Sequence, residues 1–284
     1  MKKIKVIFSI LIGSILFSGC ATVNRGNFKH MQLDPLSSYK NSYNVIDTKK
    51  EKIDIPNPPV SVIERFEVVD GGCAGQDCGS SVGNNGHYGD RERIELKVPP
   101  HNRDTFNGSE FWYTWSIYFP KDYKSIYPAA SMMGQFYEKG YGPKYAFEEE
   151  DGYYLDVDHG SKILLIDNKN LRAKWHTIKI HAKWSKSNDG IFKVWVDNKV
   201  LSDFKGQTMF DSATEVYMKY GIYRNFISRY KNPKVMEIVK KYDNLPYREA
   251  FLKAKKEVKL PTQIVYYSNV RRANTEKGLI PSNK

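Results

Sequence analysis

The run Tyr217-Met218-Lys219-Tyr220-Gly221-Ile222-Tyr223-Arg224 concentrates an amine, three phenols and a guanidinium within eight residues. In extended backbone, Tyr217, Lys219 and Tyr223 share one face, Met218, Tyr220 and Ile222 share the other, and Gly221 has no side chain. Lys219 and Tyr223 are then about 13 Å apart at roughly 3.3 Å per residue, flanking the bare backbone of Gly221 with a gap that a sugar ring could span. The chemistry on offer is proton transfer. Tyr223 suits it if its phenol, with an ordinary pKa of about 10, is made more acidic by Lys219 or Arg224. A plain edge strand, with a lysine stem along the surface and two interfacial tyrosines, fits the same pattern.

Other strands must bring partners to such a face. Arg91 to Val98 alternates, with Arg91, Arg93, Glu95 and Lys97 on one side and Glu92, Ile94, Leu96 and Val98 on the other. Only Glu92 breaks the pattern. An Arg93–Glu95 ion pair would aim the guanidinium at a sugar carboxylate, which arginine binds bidentately; a solvent-facing strand of mixed charge is the alternative. In Met132 to Tyr137, Gln135 and Tyr137 share a face. Phe111 to Phe119 puts Phe111, Tyr113, Trp115, Ile117 and Phe119 toward a core, with Trp112 and Tyr118 opposite as groove platforms or as packing under a loop. Trp175 to Trp184 and Ile191 to Val200 read as a hairpin around Asp189-Gly190. Pro233 to Tyr242 and Tyr247 to Val258 have helical spacing. The acidic run Glu148 to Asp151, with Asp156 and Asp158, reads as a solvated loop, and it lacks the spacing of a calcium loop.

Three of these stretches together resemble the jelly-roll polysaccharide lyases of the heparin-lyase-like and glucuronan-lyase-like type, and more loosely alginate lyases. Lys219 to Arg224 is similar to their Lys-Phe-Gly-Ile-Tyr-Arg signature, Arg93-Ile94-Glu95-Leu96 to their Arg-x-Glu-Leu strand, and Gln263 to Arg272 to their closing strand. The resemblance implies an all-β fold, a β-sandwich jelly roll with a concave substrate groove and a small helical insertion near the C-terminus, about residues 233–258. It implies β-elimination on a uronate-containing acidic polysaccharide, with no cofactor or metal. Tyr223, Lys219, Gln135 and Arg93 are the expected catalytic set, and His87, Arg91, Glu95, Tyr137, Tyr217 and Arg224 the expected substrate contacts. One departure stands out. Tyr137 occupies the place of the histidine in the lyases' Gln-x-His strand, which keeps a noncatalytic carbohydrate-binding lipoprotein open as a second reading.

Composition agrees with an exported, polyanion-seeking protein. Lys2, Lys3 and Lys5, the apolar run Val6 to Phe17 and Ser18-Gly19-Cys20 resemble a bacterial lipoprotein signal, so residues 1–19 are expected to be removed and Cys20 to carry lipid at the envelope membrane. The apolar run is short for a membrane span. Cys73 and Cys78 then form a disulfide in an oxidising compartment. The net charge is +12, or +9 without the three lysines of residues 1–19. That charge, export and the lack of a nucleic-acid motif point to an acidic polysaccharide or an anionic membrane rather than nucleic acid. Residues 20–59 read as a tether and irregular lead-in, and 60–284 as one domain.

Overall fold

The computed structural model describes residues 23–28, 30–78 and 89–281. The expected lipidation residue Cys20 and the expected substrate contact His87 lie outside them. Two seven-stranded antiparallel sheets pack face to face as a jelly-roll sandwich, as the strand pattern predicts. One sheet runs β1 (Gln32–Leu33), β4 (Arg91–Lys97), β13 (Val216–Asn225), β6 (Ala130–Glu138), β7 (Gly142–Glu149), β8 (Gly152–Val157) and β9 (Ser161–Asp167). The other runs β12 (Lys199–Gly206), β11 (Gly190–Val196), β10 (Trp175–Lys183), β5 (Glu110–Tyr118), β14 (Gln263–Ala273), β3 (Val62–Val68) and β2 (Ser42–Asp47).

The expected inward residues of β5 do fill the core: Tyr113, Trp115, Ile117 and Phe119 are buried, and Phe111 packs at its edge. Trp112 lies on the outer side of its sheet, stacked on His181 at 4.3 Å, and is not a groove platform. The hairpin reading stops short, because Asp197 and Asn198 both take positive φ (49° and 68°) and form a tight turn that splits the predicted second strand into β11 and β12. Residues 20–59 are more than a tether, since β1 and β2 extend one edge of each sheet. The acidic run belongs to β7 and β8: Glu149 is fully buried and Glu148 pairs with Lys162 at 3.0 Å. After the single helical turn α1 (Asn168–Leu171) that follows β9, a helical insertion is present as α2 (Ser228–Val239) and α3 (Tyr247–Glu257), beginning five residues earlier than the spacing predicts.

Polar groups tie β13 across the sandwich. The Tyr220 hydroxyl donates to Glu64 on β3 at 2.9 Å, and the single Tyr267 hydroxyl proton on β14 is shared between the carbonyls of Met133 (2.6 Å) and Gly221 (2.9 Å). Arg224, expected to touch substrate, is completely buried between the sheets. Its guanidinium donates to Glu92 (2.7 Å), Gln263 (2.9 Å) and the carbonyl of Val68 (3.2 Å). Alternation explains the correction: Arg224 shares parity with Met218, Tyr220 and Ile222, and the out-of-pattern Glu92 is its partner across the ladder.

Removing one member of a buried pair strands the other charge, so Glu92→Ala is expected to lower unfolding free energy by about 3–5 kcal/mol. Denaturant titration checks this, and a loss below about 1 kcal/mol, the range of exposed pairs, would contradict the structural role.

Candidate active site

A groove of about 740 Å³ opens on the outer face of the β4–β13–β6 sheet. The ladder sets its layout. Lys97 lies opposite Lys219, Glu95 opposite Gly221, Arg93 opposite Tyr223 and Arg91 opposite Asn225, while on the other side Tyr137 faces Tyr217 and Gln135 faces Lys219. Arg91, Arg93, Gln135, Tyr137, Tyr217, Lys219 and Tyr223 therefore converge on one cleft, as expected of distant segments in a shared site.

Beneath the cleft sits Glu95, 1% exposed. One carboxylate oxygen accepts from Gln135 Nε2 at 2.7 Å, and the other faces Lys219 Nζ at 2.8 Å and Arg93 Nη1 at 3.3 Å. Glu95 was expected to meet substrate; it is instead a positioning residue, hidden behind the groups it holds. Two more carboxylates, both missed in the sequence, complete the support. Asp77, in the 3₁₀ turn Gly75–Cys78, takes Arg93 Nε (2.5 Å) and Nη2 (3.0 Å). The Cys73–Cys78 disulfide closes that turn. Asp34 lies between Lys219 (3.2 Å) and Lys97 (3.3 Å).

These contacts revise the role of Arg93. The predicted Arg93–Glu95 pair exists, but the side-on fork of the guanidinium is occupied by Asp77, and its plane lies 4.2 Å from the Tyr223 ring centre. Arg91 is different: its Nε is shielded from solvent and has no partner among the described residues. Gly221 does not open a gap for a sugar. It has φ +137°, and a Cβ there would collide with the carbonyl of Ile94 and come within 2.9 Å of the Glu95 Cα. The glycine serves close approach of β13 to β4, where side-chain-bearing residues do not fit.

The Tyr223 hydroxyl makes no hydrogen bond among the described residues, and the side chain is 7% exposed within the groove lining. Burial pushes its pKa up, Arg93 and Arg91 pull it back, and the balance stands at about 12. The sequence-based expectation of a lowered value fails because desolvation outweighs the cations, and because Arg224 faces the core. His159, from the turn after β8, and Arg229, from α2, also line the groove; both were missed because isolated residues in a turn and at a helix start have no periodic signature.

The sandwich thus carries a basic, phenol-bearing groove across one sheet. The chain belongs to the polysaccharide lyase family, whose model matches residues 61–271, and it is a polysaccharide lyase. Its structure is similar to that of the endo-β-1,4-glucuronan lyase from the fungus Trichoderma reesei, with a TM-score of 0.55, 14% identity, and coverage of 87% of this chain and 91% of that one. It is also similar to a family 7 alginate lyase in complex with substrate, with a TM-score of 0.49, 11% identity and coverage of 88% and 95%. At 14% identity the likeness to the glucuronan lyase speaks for the fold alone. No curated protein matches the chain in sequence.

The Asp34 carboxylate gives the support network a pH signature. Burial raises its pKa, but Lys219, the Leu36 N–H, Arg93 and Lys97 lower it further, to about 2 against an ordinary 3.8. A depressed folded value means that its contribution is complete above about pH 4 and lost as pH falls toward 2. The stability difference between wild type and Asp34→Asn should shrink across that window in denaturant titrations; a constant difference would contradict the pairing.

Proposed function

We propose that this lyase cleaves a uronate-containing polysaccharide by β-elimination in the β4–β13–β6 groove. The observation that carries the reading is the charge of the lining. Arg91, Arg93, Lys97, Lys219 and Arg229 face the groove, and Asp34 is its only acidic lining residue among the described residues. Such a cleft concentrates a polyanionic chain. Glycoside hydrolysis usually requires two carboxyl groups facing the scissile bond, and this lining does not offer them.

In the proposed reaction, Gln135 and the remaining N–H groups of Arg93 neutralise the uronate carboxylate, which acidifies the neighbouring C5–H. The Tyr223 oxygen, as phenolate, takes the C5 proton; the C–H electron pair becomes the C4=C5 double bond and the C4–O bond breaks. The departing glycosidic oxygen then takes the proton from the same phenol. Lys219, fixed by Glu95 and Asp34, supplies positive charge on this side of the groove. Tyr137 and Tyr217, with ring centres 5.2 Å apart, offer apolar surface to a neighbouring sugar.

Tyr223→Phe should abolish formation of the near-ultraviolet-absorbing unsaturated product while binding of uncleaved oligouronate persists; full turnover would remove Tyr223 from the mechanism. The active form is the scarce one, since with a pKa of about 12 only roughly one phenol in 10⁵ is ionised at pH 7. Hence kcat/KM should climb about tenfold per pH unit from 7 toward 10. A flat profile would assign proton abstraction to another group.

The lipoprotein-like N-terminus supports an envelope location, with Cys20 as the acylated residue and the mature domain tethered to a membrane. Labelled palmitate should be incorporated in a bacterial host by the parent and not by Cys20→Ser. Equal labelling of both would refute the anchor.

A further inference from the structure

The charge of the groove is uneven along its length. At the Lys97–Lys219 end, Asp34 and Glu95 stand against the two ammonium groups. Four ladder positions beyond Glu95, Arg91 and Asn225 begin the opposite end, where Phe226 and Arg229 complete the lining. Neither Arg91 nor Arg229 has a carboxylate within ion-pair distance among the described residues. The sequence of residues 79–88 contains no Asp or Glu.

This end is built. Asp90 accepts from the Ser228 N–H and hydroxyl, both at 2.6 Å, and so fixes the first turn of α2. Asp70, a second acid that meets this helix, is engaged by Lys231 (2.7 Å) and Lys259 (3.5 Å). Phe226 adopts a left-handed φ of 53°, rare for an aromatic residue, and the Arg229 guanidinium rests 4.4 Å from its ring centre. An aromatic face orients the cation without neutralising it. Arg91 contributes the partnerless, solvent-shielded Nε. A carboxylate in the groove can pair with the charge of these two guanidiniums without displacing an ion-pair partner among the described residues.

We propose that Arg91 and Arg229 form a second anion receptor, which binds the carboxylate of the sugar next to the one that reacts. Arg91 stands about 7 Å along the strand from Arg93, a separation suited to the adjacent sugar rather than the same one. The substrate class is then a polyuronate with acidic groups on consecutive sugars, not a chain in which uronates alternate with neutral sugars. This inference rests on the lyase reading for the placement of the reacting sugar.

Calorimetric titration of the Tyr223→Phe protein, which leaves substrate intact, tests it with two oligosaccharides of equal length, one all-uronate and one alternating uronate with neutral sugar. The all-uronate chain should bind at least about tenfold more tightly, and adding Arg229→Gln should remove most of that preference at an unchanged melting temperature. No preference in the parent, or a preference untouched by Arg229→Gln, would overturn the receptor. Should wild type cleave neither chain while the Arg229-dependent preference persists, the lyase mechanism fails and the receptor stands.

Discussion

The buried carboxylate of Glu95 is the constraint on which the site depends. A carboxylate removed from water must be matched by donors or cations, and here Gln135, Arg93 and Lys219 converge on it from three adjacent strands. Each is thereby fixed with its remaining groups toward the groove. Asp77 and Asp34 extend the same principle to either side, so the basic floor is assembled before any substrate arrives. Donors already aimed at developing charge need little reorganisation during reaction, which is the advantage of building a cleft this way.

The rigidity of that floor comes from the far side of β13. Tyr220, Gly221 and Arg224 are each bonded to the opposite sheet, through Glu64, Tyr267 and Gln263. One strand thus carries alternate duties: odd positions 217, 219 and 223 face the groove, and even positions 218 to 224 hold the sandwich together. The phenol of Tyr223 lies where these demands meet. It is enclosed enough that burial raises its pKa, yet Arg93 and Arg91 sit close enough to limit the rise.

Alternation made much of this readable. The faces of β4, β5 and β13 follow their apolar periods, and the two-sheet architecture follows from many short aromatic strands. The same alternation also placed Arg224 inward, and the family-like motif around it drew attention away from that parity. Glu92, the one residue that broke the pattern of β4, was the sign of its buried partner. The supporting acids were not legible. Asp77 and Asp34 lie in irregular segments, 16 and 59 residues before Arg93 on the chain, and nothing periodic links them to the strands they brace. Nor does spacing report desolvation, so the direction of the Tyr223 shift emerged only once its surroundings were known. Arg229 reached the groove through the start of a helix, where charge alone resembles a solvated surface.

A crystal structure of the Tyr223→Phe protein with a bound oligouronate would test the preassembled groove most directly. The account predicts one uronate carboxylate at Arg93 and Gln135, the C5 of that sugar beside the ring edge of residue 223, and the contacts of Glu95 to Gln135, Arg93 and Lys219 unchanged. An oligosaccharide seated elsewhere, or a Glu95 that exchanges its partners for the ligand, would contradict it.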